Sequence, residues 1–209
     1  MIFIQSCVTK ECCLPPPNSN DNRITFSNLQ VGQTSVYVQE QSSDWRKDSD
    51  TTFKKTNDTL HLKVIGKDDN GFKIEEFHFN KKRPTITFYF NVVGDSLLVS
   101  PMPSTSSIGS ATFLGNEQSF SFKDQNLTKW VINRWLIPQE VPFGKRVGNV
   151  ENIKINNLIF NNALAFYDST STIFDGPYTI KLYSKEAGFI SFQSLGSMAK
   201  GAAVWNLIP

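Results

Sequence analysis

The sequence predicts an all-β domain, either an antiparallel sandwich or a curved half-barrel with a lipocalin-like sheet, carrying at most one short helix. Three observations lead there. Short runs rich in Val, Ile, Phe, Tyr and Thr alternate apolar with polar residues, the period of a strand. Gly, Asn, Asp and Pro interrupt them about every 8–12 residues, which marks about ten short strands. Only Asn126 to Leu136 repeats its large apolar groups at helical spacing. At 209 residues, 39% apolar and with 17 Phe, the chain has the length and the material for one domain with a real core.

In order, the domain opens near Ile24, and Val31-Gly32 is a turn into a strand around Val36-Tyr37-Val38. Asp44 to Asp58 is polar and reads as a loop or exposed edge. Thr59 to Phe79 reads as a hairpin closed by Asp68-Asp69-Asn70-Gly71. A four-residue loop there sets Leu62 opposite Phe77, Leu60 opposite Phe79, Lys63 opposite Glu76 and His61 opposite His78. A second hairpin, Thr85 to Val99, turns at Gly94-Asp95 and pairs Val92 with Leu97 and Phe90 with Val99. Its other face, Thr85, Thr87, Tyr89 and Asn91, is polar. Ser100 to Ser110 is a loop, and Phe113 to Phe122 a short hairpin around Gly115-Asn116. Asn126 to Leu136 is the helix, ended by Pro138. From Val150 strands resume, with a turn at Asn156-Asn157, a bulge expected at Asn161-Asn162, a turn at Ser184 to Gly188 and a closing strand at Val204 to Leu207.

Composition narrows the function classes. Twenty-one basic against 19 acidic residues give a net charge of +2, and the densest basic cluster is only Lys81-Lys82-Arg83, so nucleic acid is not expected as a partner. No apolar run reaches the ~20 residues of a membrane helix. Gly-x-Ser-x-Gly, phosphate-loop and dinucleotide fingerprints are missing, so no cofactor is expected and the domain is read as binding rather than catalysing. Glu75 and Glu76 are adjacent strand residues and point to opposite faces, so they do not form an acid pair.

The N-terminus carries a separate signal. Ile4-Gln5-Ser6-Cys7 matches the end of a bacterial lipoprotein signal: an aliphatic residue three before the cysteine, a small one just before it, and a thiol to take the lipid. The apolar run ahead of it, Met1 to Ile4, is short for a signal core of ~7–15 residues, so the true start is placed upstream or the match is chance. On the lipoprotein reading, residues 1–7 are the end of a signal, residues 8–23 with Pro15-Pro16-Pro17 are a tether, and residues 24–209 are the domain. Cys12 and Cys13 have no further cysteine in the chain to form a framework with.

Two constellations stand out within the domain. If His61 and His78 are cross-strand neighbours, their β-carbons lie ~4.5–5.5 Å apart and Glu76 is a third ligand for a divalent metal. The same pair also suits two solvated histidines on a wet face. The second constellation is apolar. Phe88, Phe90, Val92 and Leu97 share one face, and in a half-barrel that face forms the wall of a ligand cavity, with Trp130 and Trp135 of the helix as its lid. In a sandwich the same residues are plain core.

Val31-Gly32 leading into Val36-Tyr37, the Leu60–Phe79 hairpin, Tyr183-Ser184-Lys185-Glu186-Ala187-Gly188-Phe189-Ile190-Ser191-Phe192 and Val204-Trp205-Asn206-Leu207 together resemble the opening and ending of small lipoproteins of Bacteroidota. Most of those have no assigned activity, so the resemblance implies a location and a broad fold. The expectation is a lipid-anchored outer-membrane protein of a bacterial envelope, on its periplasmic or surface face. Its partners would be the membrane, through Cys7, and an apolar or amphipathic ligand or another envelope protein. The alternatives are a structural assembly component and a hydrolase with dispersed carboxylates.

Overall fold

Turn residues and strand alternation produce one continuous sheet rather than the two of a sandwich. The computed structural model describes residues 23–44, 53–80, 85–102, 119–123, 127, 129–130, 144–169, 178–196 and 201–209. Twelve strands are described: β1 (Thr34–Ser42), β2 (Phe53–Asp68), β3 (Gly71–His78), β4 (Ile86–Val93), β5 (Ser96–Pro101), β6 (Ser119–Ser121), β7 (Lys129–Trp130), β8 (Lys145–Ile155), β9 (Leu158–Asp168), β10 (Tyr178–Ser184), β11 (Gly188–Leu195) and β12 (Ala202–Leu207). Their order is β6-β5-β4-β3-β2-β1-β12-β11-β10-β9-β8-β7. All neighbours are antiparallel except β7 and β8. Two meanders are thus joined through the first and last strands, where Tyr37 lies opposite Leu207.

The sheet is open, with β6 and β7 at its edges, but it curls so that one face packs on itself. Phe120 of β6 meets Phe166 of β9 at 5.2 Å and Phe189 of β11 at 5.1 Å between ring centroids, both edge-on. Tyr37 of β1 donates its hydroxyl hydrogen to the Phe189 carbonyl at 3.0 Å across the same interior. Leu60, Leu62, Ile74, Phe88, Phe90, Leu97 and Phe120 fill that interior and are essentially inaccessible to solvent. The curved half-barrel of the sequence reading is the arrangement found.

Three local departures from the expected elements have physical causes. Phe53 to Asp58 belongs to β2 rather than to a loop, because Ser42, Gln41 and Glu40 pair with Phe53, Lys54 and Lys55. Asn161-Asn162 is not a bulge: β8 and β9 keep one register throughout, and Asn152 takes a positive φ of 54° where the buried side changes. Lys129 and Trp130 are strand rather than helix, held parallel to Asn149 and Val150. Residues 131–136 of the expected helix lie outside the described residues, as do residues 1–22 with Cys7, and most of the expected hairpin before Phe122.

The turns at Asp69-Asn70, Gly94-Asp95, Asn156-Asn157 and Lys185 to Ala187 all lie at one end of the curled sheet, here termed the mouth. Gly94 has a φ of 56° as the first residue of a two-residue turn, the place glycine was expected to fill.

Candidate functional site: a cleft at the mouth

A short segment ahead of β1 builds one wall. The Ile24 N–H donates to Ser35 Oγ at 3.0 Å, which lays the chain across the β10–β11 turn. Gly188 makes that crossing feasible: its φ is 72°, and a β-carbon there would collide with the Ile24 carbonyl oxygen. Phe26, in the 3-10 turn Phe26–Asn28, is thereby placed over the interior. Its ring stacks on Phe122 and Tyr183, each at 5.4 Å, and meets Phe90 and Phe189 edge-on, each at 5.5 Å.

Phe122 and Tyr183 form the centre of the site, stacked at 4.3 Å. Phe122 is positioned by its N–H donating to the Asp95 carbonyl at 2.7 Å. On one side of the pair lies a cleft of about 600 Å³, walled by Phe26, Val92, Phe122 and Tyr183 and edged by Lys123, Lys185 and Asp95. A hollow of about 270 Å³ shares Phe122, Tyr183 and Lys185 and adds Asn149, Asn162, Ser184 and Glu186. The larger volume is within the ~300–1,000 Å³ typical of small-molecule sites. Burial pushes the Tyr183 phenol up to about 12, so it stays neutral across the physiological range.

The expected site residues are dispersed relative to this cleft. Val92 lines it. Phe88, Phe90 and Leu97 face the same side but are fully enclosed in the core. Trp130 is elsewhere, edge-on to Tyr167 at 6.4 Å with its ring filling the space that a side chain at Gly148 would need. Trp135 lies outside the described residues.

The histidine pair is not formed. Asp68, Lys67 and Gly66 pair with Gly71, Phe72 and Lys73, which closes a two-residue Asp69-Asn70 turn in the register expected of the four-residue loop, but Ile65 is then an extra residue. Beyond this bulge, Val64 pairs with Ile74 and His61 with Phe77, so His61 and His78 occupy opposite faces. His61 stacks on Phe77 at 4.5 Å on the outer face, and partial burial lowers its pKa.

His78 and Glu76 turn inward instead, where they meet Asp58, a residue expected in a loop or exposed edge. His78 Nδ1 lies 3.1 Å from Asp58 Oδ2, and Nε2 lies 3.6 Å from Glu76 Oε1. All three side chains are at most 3% exposed, and the Trp205 ring is edge-on to the imidazole at 5.2 Å. The carboxylates flank opposite nitrogens of the ring and so do not converge on one point. Consistently, among the described residues no group of three or more His, Cys, Asp or Glu is arranged to hold a metal.

Sequence reasoning also missed Phe26, Phe122, Tyr183 and Lys185 as a group. The Ile24/Phe26 alternation just before the first turn was the available signal for the first of them. Comparison of the chain with protein-family models, with curated proteins and with solved structures finds no match.

Proposed function

We propose that the protein is a lipid-anchored component of a bacterial envelope whose β domain binds an amphipathic, anionic small molecule in the mouth cleft. The observation that carries the binding reading is the aromatic wall of Phe26, Phe122 and Tyr183 edged by Lys123 and Lys185. Rings of this kind shed water from an aliphatic body, and a lysine at the edge of such a wall pairs with an acidic head that stays near solvent. The motif ending in Cys7 and the proline-containing stretch after it support the anchor.

Uptake of a fluorescent fatty acid tests the cleft. Phe122→Ala is expected to weaken uptake roughly tenfold. Lys185→Glu is expected to weaken uptake of the acid but leave that of the matching fatty alcohol near wild type. A wild-type protein that takes up neither, or a Lys185→Glu variant that treats acid and alcohol alike, would overturn the reading. The anchor is tested separately by expressing the chain behind a complete signal with labelled fatty acid. Label on the wild type should disappear in Cys7→Ala, and unchanged labelling would rule out Cys7 as the acceptor.

A further inference from the structure

Four tyrosines are buried among the described residues, and three of them have a partner for the hydroxyl. Tyr37 donates to the Phe189 carbonyl at 3.0 Å, Tyr89 donates to Asp68 Oδ2 at 3.0 Å, and Tyr167 is hydrogen-bonded to Ser169. Tyr183 is the exception. It is 4% exposed, yet its hydroxyl makes no hydrogen bond among the described residues. A buried phenol usually finds a partner, because an unmet polar group away from water is costly. The Tyr183 oxygen is not sealed within the protein, and Tyr183 lines both hollows of the cleft. The two hollows differ in character. Phe26, Val92 and Phe122 wall the larger, whereas Asn149, Asn162 and Ser184 line the smaller. An amphipath reaching from one to the other passes from apolar to hydrogen-bonding surroundings at Tyr183.

We infer that the Tyr183 hydroxyl hydrogen-bonds the ligand at this junction, and that the ligand is a fatty acyl chain joined to its acidic head through an amide or ester carbonyl. The inference rests on the cleft reading above and narrows its ligand class, since a plain fatty acid offers nothing at the junction. Burial keeps the phenol neutral, so it has a hydrogen to donate and calls for an acceptor. A carboxylate does not suit that position. The rings of Phe26 and Phe122 stack on Tyr183 at 5.4 and 4.3 Å, and charge is poorly solvated beside them. The cations of the site, Lys123 and Lys185, are exposed at its edge, where an acid stays near water. A carbonyl close to the acid satisfies both demands. Its oxygen accepts from Tyr183, its chain enters the larger hollow, and its head turns toward Lys185.

The test uses the full 209-residue chain and two probes with the same fluorophore at the chain end. One is a long-chain N-acylglycine, and the other is the fatty acid in which two methylenes replace its amide. Tyr183→Phe keeps the ring and its stacking, so its urea midpoint should stay near that of wild type. The variant is expected to bind the acylglycine roughly fivefold more weakly and the fatty acid less than about twofold more weakly. Equal losses for the two probes, or no loss for the acylglycine, would overturn the inference and leave the cleft reading standing. Uptake of neither probe by wild type would overturn both. If Tyr183→Phe does not fold, wild type decides through a second pair, an acyl ester of glycolic acid and the ether that lacks its carbonyl. The ether should then bind roughly fivefold more weakly, and equal binding of the pair would overturn the inference.

Discussion

Phe90→Ala is expected to cost ~3–5 kcal/mol of stability and to leave fatty-acid uptake by the folded fraction near wild type. Phe90 is wholly buried, edge-on to Phe26 at 5.5 Å and beside Phe88 at 5.3 Å, so its loss opens a cavity inside the curled sheet. Urea denaturation gives the stability, and titration with the fluorescent acid gives the uptake. Lost uptake with a stability change below ~1 kcal/mol would mean that the ligand reaches the interior past Phe26, contrary to the enclosure seen here.

His78→Leu is expected to be about as damaging, ~3–5 kcal/mol, for an electrostatic reason. The imidazole is the group that faces both Asp58 and Glu76 in a region where all three side chains are almost entirely removed from water. Taking away the imidazole removes a polar partner from carboxyl groups held in a region that solvates them poorly. Neutralising both carboxylates in the same background, Asp58→Asn with Glu76→Gln, should therefore recover a substantial part of the loss. If the triple variant is no more stable than His78→Leu alone, packing against Trp205 rather than charge accounts for the effect.

These two residues illustrate what sequence reading reached and where it stopped. The β4–β5 hairpin was legible down to the pairing of Val92 with Leu97 and Phe90 with Val99, because a two-residue turn with glycine first admits one register. The β2–β3 hairpin was legible only as far as Gly66. A glycine inside a strand pattern often marks a bulge, and the extra Ile65 beside it moves every later residue to the other face. That single shift separated His61 from His78 and sent Glu76 inward. Phe77 and Phe79, expected opposite Leu62 and Leu60 on one face, went outward. The cleft was less legible still. Phe26, Phe122 and Tyr183 come from three distant parts of the chain and converge only because the sheet curls, and no local pattern encodes that curvature.

The central pairing of β1 with β12 also sets the order in which the molecule can be completed. Contacts such as that between Tyr37 and Phe189 close a separation of 152 residues, which places this fold among slow, topologically demanding ones. During synthesis, at ~5–20 residues per second, the β1–β6 meander is finished well before β12 exists. For several seconds at least, the nine-residue β1 is a bare edge strand with its backbone groups open to any other chain. That edge is closed only when β12 arrives and pairs with β1 from Tyr37 to Ser42.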